Sequence, residues 1–174
     1  LKVATLKNNI KEDVEMTQLM ALSITTGILC GVWSYISGPI GLLAWIGFAG
    51  CTTYFASGKH GLEGVLTTIR QNMFGVLCGM AIITLCNLFP FAGSLMVFSG
   101  LLTFVMCIAG RFKYLAFIPG SFVGCFSTFA ADGNWQVLVI TLICGAILGI
   151  ACDKSGDWLY AMFGKAEHTP KEAD

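Results

Sequence analysis

Residues 43–56 read LAWIGFAGCTTYFA, and residues 115–130 read LAFIPGSFVGCFSTFA. Leu43-Ala44-Trp45-Ile46 answers Leu115-Ala116-Phe117-Ile118. After a two-residue insertion, Phe48, Gly50, Cys51, Phe55 and Ala56 answer Phe122, Gly124, Cys125, Phe129 and Ala130. Both stretches are apolar, rich in small residues, and long enough to cross most of a bilayer. We read them as the matching central helices of two half-molecules.

The surrounding composition agrees with that reading. The chain has 174 residues, 56% hydrophobic and 11% charged, with a mean hydropathy of +0.77. A soluble domain carries about 25% charged residues, so this much apolar surface calls for lipid as its solvent. The net charge is zero, which offers nothing to nucleic acid. The first residues are polar and mixed in charge, without the short apolar run and cleavage site of a signal peptide.

Apolar runs fall at roughly 18–37, 40–57, 67–87, 92–110, 114–131 and 135–152. Each approaches the ~20 residues that a helix needs to cross a ~30 Å hydrocarbon layer. Backbone groups in lipid must be satisfied within their own segment, and the runs do not alternate polar with apolar, so helices are expected rather than a barrel. Ser37-Gly38-Pro39 and Asn87-Leu88-Phe89-Pro90 read as breaks. Pro119-Gly120 is expected to kink or interrupt the fifth run, and Asp132 or Asn134 to cap the sixth. Trp33 and Tyr35 suit an interfacial aromatic belt. Residues 1–16, with Leu6, Ile10 and Val14 four apart, fit a short surface helix or a solvated tail. Residues 153–174 fit an interfacial helix followed by a polar tail, with Trp158, Leu159, Met162 and Phe163 on one face.

With six crossings, all ten cations lie on one side of the membrane: Lys2, Lys7, Lys11, Lys59, Arg70, Arg111, Lys113, Lys154, Lys165 and Lys171. The first, third and fifth connections contain no Lys or Arg. The positive-inside rule then places both termini in the cytoplasm. The repeat offset is about 72 residues, and each half holds three crossings: 17–87 and 88–152. Three is odd, so the second half enters from the opposite face. The expected fold is all-α and polytopic, six transmembrane helices as a 3+3 inverted-topology repeat of the kind common in transporters. Gly75 and Gly79, echoed by Gly145 and Gly149, together with Gly27 and Gly31 and with Gly120 and Gly124, are the expected helix-packing glycines.

The segments AWIGFAGCTTYFASG and FIPGSFVGCFSTFAADG also make the chain resemble a bacterial inner-membrane family, domain-of-unknown-function family 1097. The resemblance covers nearly all six runs. It implies a small multi-pass protein of the bacterial inner membrane and brings no activity with it.

Of chemistry, more is missing than present. No Asp or Glu falls inside a run as bounded above; Glu63, Asp132 and Asp153 sit at or near the ends. A proton- or ion-coupled carrier usually needs a carboxylate there. There is no phosphate loop and no assembled catalytic constellation, so no enzymatic activity and no cofactor are expected. The eight cysteines form no CxxC pair, which argues for small packing residues over a metal site; a Cys/Met-lined metal or redox protein is the weakest alternative. Neutral polar groups remain in the apolar runs. The candidate pore or solute residues are Thr52, Thr53 and Tyr54 in the first copy, Ser121, Ser127 and Thr128 in the second, Arg70 and Asn72 in the third run, and the matched aromatics Trp45 and Phe117. Hydroxyls in helices more often bond back to their own turn or glue neighbours, and Arg70 at a helix end can simply snorkel to the interface. The favoured reading is a channel or facilitator for a small polar solute, neutral or weakly acidic. The alternative is a non-transporting membrane assembly subunit. Expected partners are the lipid bilayer, further copies of this chain, and the solute.

Overall fold

A computed structural model of the chain describes residues 17–164; the readings for residues 1–16 and for the tail from 165 onward lie outside the described residues. Among the described residues every regular element is helical: α1 (Gln18–Ser37), α2 (Ala44–Ala56), α3 (Gly61–Leu88), α4 (Ser94–Ala109), a 3₁₀ turn (Lys113–Leu115), α5 (Ile118–Ala130) and α6 (Trp135–Phe163). Thr17 caps α1 by accepting the Met20 N–H at 3.1 Å. By length and composition α1, α3 and α6 are apolar enough to cross a membrane.

The two copied stretches each yield a 13-residue helix, α2 and α5, shorter than the apolar runs that contain them. The turn begun at Ser37 continues to Leu42, whose N–H donates to the Ser37 carbonyl at 2.9 Å. In the second copy Pro119 neither kinks nor interrupts a helix. It lies in the first turn of α5, where a missing N–H leaves no bond unmade and the fixed φ already suits a helix. Asn134 is the N-cap residue of α6 but makes no side-chain cap bond. Two helices run longer than their apolar runs: α3 starts at Gly61 rather than near residue 67, and α6 passes Cys152 without a break.

At the centre α3 and α6 pack on each other; α1 and α2 lie against α6, whereas α4 and α5 lie against α3. Each half thus lays its first two helices on the third helix of the other half. The glycines make this close approach possible, and they do so in matched pairs. A side chain on Gly145 would run into the Gly47 carbonyl, and one on Gly75 into the Ser121 carbonyl. A side chain on Gly50 would meet the Leu142 carbonyl, and one on Gly124 the Asn72 carbonyl. Gly149 faces the Cβ of Tyr54, and Gly79 the Cβ of Thr128. Each contact joins residues whose counterparts, under the alignment of the two copies and of the Gly75/Gly79 and Gly145/Gly149 pairs, touch in the other half.

Gly120 packs on Gln71, but Gly27 and Gly31 meet nothing within this chain. They lie on the outer face of α1, beside Ile28 and Val32. Trp33 is turned into the bundle rather than outward. It is 7% exposed, fills the space left by Gly47, and its indole N–H donates to the Ala44 carbonyl at 2.9 Å; Tyr35 is exposed, as an aromatic belt requires. Two apolar clusters form the interior, one around Ile46, Val76, Leu138 and Leu142, the other around Cys78, Ile82, Met106 and Cys125. Large apolar side chains cover the outer faces, among them Ile28 on α1 and Leu101 and Phe104 on α4, a surface suited to lipid rather than water.

Candidate functional site

Residues 57–60, between α2 and α3, border two cavities of opposite character. The first, about 230 Å³, is basic: Lys59, Arg70 and Lys113 line it together with Gln71, Tyr114 and Phe117. The longer α3 brings Arg70 to this place, and the 3₁₀ turn brings Lys113 and Tyr114 opposite. The Arg70 guanidinium lies over the Tyr114 ring, 5.3 Å from its centroid, and its Nη1 donates to the Tyr114 carbonyl at 3.4 Å. Gln71 is buried, and both ends of its amide are hydrogen-bonded. Its Nε2 donates to the same carbonyl at 3.2 Å, and its Oε1 accepts the Ser121 hydroxyl at 2.8 Å.

Behind Gln71 the hydrogen bonding is incomplete. Asn72 is 0% exposed, and neither its amide oxygen nor its amide nitrogen has a partner. Thr68, one turn earlier on the same face of α3, has a buried hydroxyl without a partner, as does Ser127 on α5. A buried polar group left without a partner costs about 1–3 kcal/mol, and native proteins retain few of them. Such groups close to a cavity mark where water or a polar solute can complete the missing bonds.

The other sequence candidates separate into distinct roles. Thr53 and Thr128 donate to the Ala49 and Gly124 carbonyls of their own helices at 2.9 Å each, the self-bonding expected of helical hydroxyls. Thr52 faces outward. Trp45 is 41% exposed, whereas Phe117 lines the basic cavity, so the two aromatics do not form a paired constriction: the packed face of α2 begins one residue later, at Ile46 and Gly47.

The second cavity, about 430 Å³, is lined by Gln18, Leu22, His60, Asp153 and Asp157 among others. Its central group is a carboxylate that hydropathy alone puts at a helix end. Because α6 continues, Asp153 is carried into the bundle and is 5% exposed. The buried Tyr54 hydroxyl donates to Asp153 Oδ2 at 2.7 Å, and His60 Nδ1 lies 3.1 Å from Oδ1. The same Tyr54 oxygen accepts the Gly61 N–H at 2.8 Å, which ties the start of α3 to α2 and α6. The counterparts of Tyr54 and Asp153 in the other half are Thr128 and Ile83, so this cluster occurs once among the described residues. The apolar pattern stops one residue before Asp153, and the helix that continues past it turns this carboxylate inward.

The structure also joins three cysteines that no local spacing connects. The sulfurs of Cys30, Cys51 and Cys152 lie within 4.8 Å of one another, which gives the described residues a possible metal-binding group where the sequence pointed to none.

Known proteins resemble this chain over most of its length. Inner membrane protein YcdZ of Escherichia coli (strain K12) is 40% identical over 158 residues, covering 90% of this chain and 97% of that protein. Inner membrane protein YcdZ of Salmonella typhimurium (strain LT2) is 39% identical, covering 83% and 91%. Uncharacterized protein YahC of E. coli (strain K12) is 30% identical, covering 83% and 94%. No solved structure matches the chain. The family model described as protein of unknown function (DUF1097) matches residues 23–157, from α1 to beyond the buried Asp153, and the chain belongs to that family.

Proposed function

We propose that the chain is a multi-pass inner-membrane protein with six crossings, built as a 3+3 inverted repeat, that passes a small polar solute, neutral or weakly acidic. The matched glycine contacts support the repeat, because a two-fold relation between halves turns each contact into its counterpart. Both copied helices are about one-third shorter than a full crossing. Short or broken helices at a repeat interface are where transporters hold their solutes. The cation distribution supports a cytoplasmic position for both termini.

The observation that carries the permeation reading is the basic cavity lined in part by the buried Gln71, together with the unpartnered buried amide of Asn72, the next residue on α3. Arg70 and Lys113 raise the local concentration of the anionic form of a weak acid, while Lys59 is paired with Glu63 at 2.6 Å; Asn72, Thr68 and Ser127 supply buried neutral hydrogen-bonding groups. A passive path cannot rest on the absence of an internal carboxylate, given Asp153. It rests on the engagement of Asp153 by Tyr54 and His60 and on its place in the other cavity. The reading involves no catalytic step. Further copies of the chain cover the outer face of α1, where Gly27 and Gly31 leave room for a close neighbour.

The experiment is solute-driven swelling of liposomes containing the purified chain, followed by light scattering, with small carboxylic acids, amides and polyols as the panel. The reading predicts faster swelling than in empty liposomes for at least one of these classes. Equal rates across the panel would contradict it.

A further inference from the structure

Three thiols from three helices converge: Cys30 on α1, Cys51 on α2 and Cys152 on α6, with all sulfurs within 4.8 Å of one another. The geometry points to a binding site for a thiophilic monovalent cation, Cu(I), held by these three sulfurs.

The repeat itself shows that packing does not require this arrangement. Cys51 has a counterpart in Cys125, but the counterpart of Cys152, three residues after the matching glycine, is Ile82. Cys125 and Ile82 sit in a cluster with Met106 and Cys78. One half therefore fills this place with an isoleucine, while the other fills it with a second thiol and brings up a third from α1. All three cysteines are free. Three sulfurs around one ion at a metal–thiolate distance of about 2.3 Å would stand about 4.0 Å apart, so only a small inward adjustment closes the site. The side chains converge where the glycine contacts bring the backbones of α2 and α6 together.

The donor set selects the ion. Zn²⁺ favours four ligands in a tetrahedron, and among the described residues no His, Asp or Glu joins the three sulfurs. Soft thiolates without a hard donor select Cu(I). Coordination replaces thiol protons with the metal and releases them to the solution. Of the three thiols Cys30, on α1, is partly exposed. Thr26, one turn before Cys30 on the same face, lines a cavity of about 440 Å³ with Leu22, Ser23, Gly27 and Phe55, and its own hydroxyl oxygen is shut from solvent without a partner.

The test uses the full chain in detergent, reduced and anaerobic, loaded with Cu(I) and dialysed against a chromophoric Cu(I) chelator. The expected result is one Cu(I) retained per chain, lost in C51S and in C152S and kept in C125S. No retained copper, or equal retention in all three variants, would overturn the site. Cu K-edge absorption on the loaded wild-type chain needs no variant to fold. Three sulfur neighbours at about 2.3 Å are expected, and a shell of nitrogen or oxygen would overturn it. Zinc retained with copper excluded would also overturn the assignment of the ion. None of these outcomes depends on whether the chain passes a solute.

Discussion

Gly145 on α6 lies against the carbonyl oxygen of Gly47 on α2, and any side chain on Gly145 would overlap that oxygen. Backbone cannot withdraw as a flexible side chain can, so Gly145→Leu must push the two helices apart. A destabilisation of about 3 kcal/mol, at the upper end for overpacking, is expected. Gly75→Leu, against the Ser121 carbonyl, should match it. Gly27→Ala meets nothing in this chain and should leave the unfolding midpoint of the monomer unchanged or raise it slightly, while weakening association with a further copy. Thermal unfolding in detergent checks all three.

The Tyr54–Asp153 bond makes a second prediction. Tyr54→Phe removes the hydroxyl that donates to a buried carboxylate and accepts the Gly61 N–H, a loss of about 1.5–3 kcal/mol for a bond to a charged group. His60→Ala removes a ring from a side chain that is 75% exposed, and surface pairs contribute about 1 kcal/mol or less. Denaturant titration should rank Tyr54→Phe well below His60→Ala in stability; the opposite ranking would place the main tie to Asp153 at His60.

These two sites are not equally legible in sequence. The glycine pairs are, because small residues four apart in two copied frames mark a close approach by spacing alone. The Gly27/Gly31 pair has the same spacing but no neighbour in this chain: spacing shows that a helix face is smooth, and the partner depends on topology. Hydropathy misplaces Asp153 because it ends at Cys152 while the helix continues, and a helix stops for want of hydrogen bonds or caps, not of apolar residues. Residue type alone puts Trp33 at the interface, though the space it fills is the missing side chain of Gly47. The three clustered cysteines carry no local signal at all, since each comes from a different helix.

Asn72 gives the proposed permeation a test that is separate from stability. Its counterpart in the other half is Leu142, whose carbonyl makes the equivalent contact with Gly50, so the backbone contact at this position does not depend on the asparagine side chain. Asn72→Leu removes an amide whose two polar atoms are buried without partners, and stability should hold or rise by about 1 kcal/mol. Solute-driven swelling should fall sharply in the same protein. Unchanged swelling would remove Asn72 from the path.

The basic cavity predicts a charge-dependent effect. Arg70→Gln with Lys113→Gln removes two of the three cations. Flux of a weak acid at low salt should drop by about tenfold, flux of a neutral solute should change little, and the salt dependence of the acid flux should flatten. Equal losses for both solutes would indicate damage to the path rather than to its field.

The direction of the copied helices is the most direct test of the account. In a chain freed of its native cysteines, single cysteines at Gly58 and at Gly133 report the C-terminal ends of α2 and α5 to a membrane-impermeant maleimide added to intact cells. The account predicts labelling at Gly133 and protection at Gly58 until the membrane is opened. Labelling of both positions from the same side would contradict it.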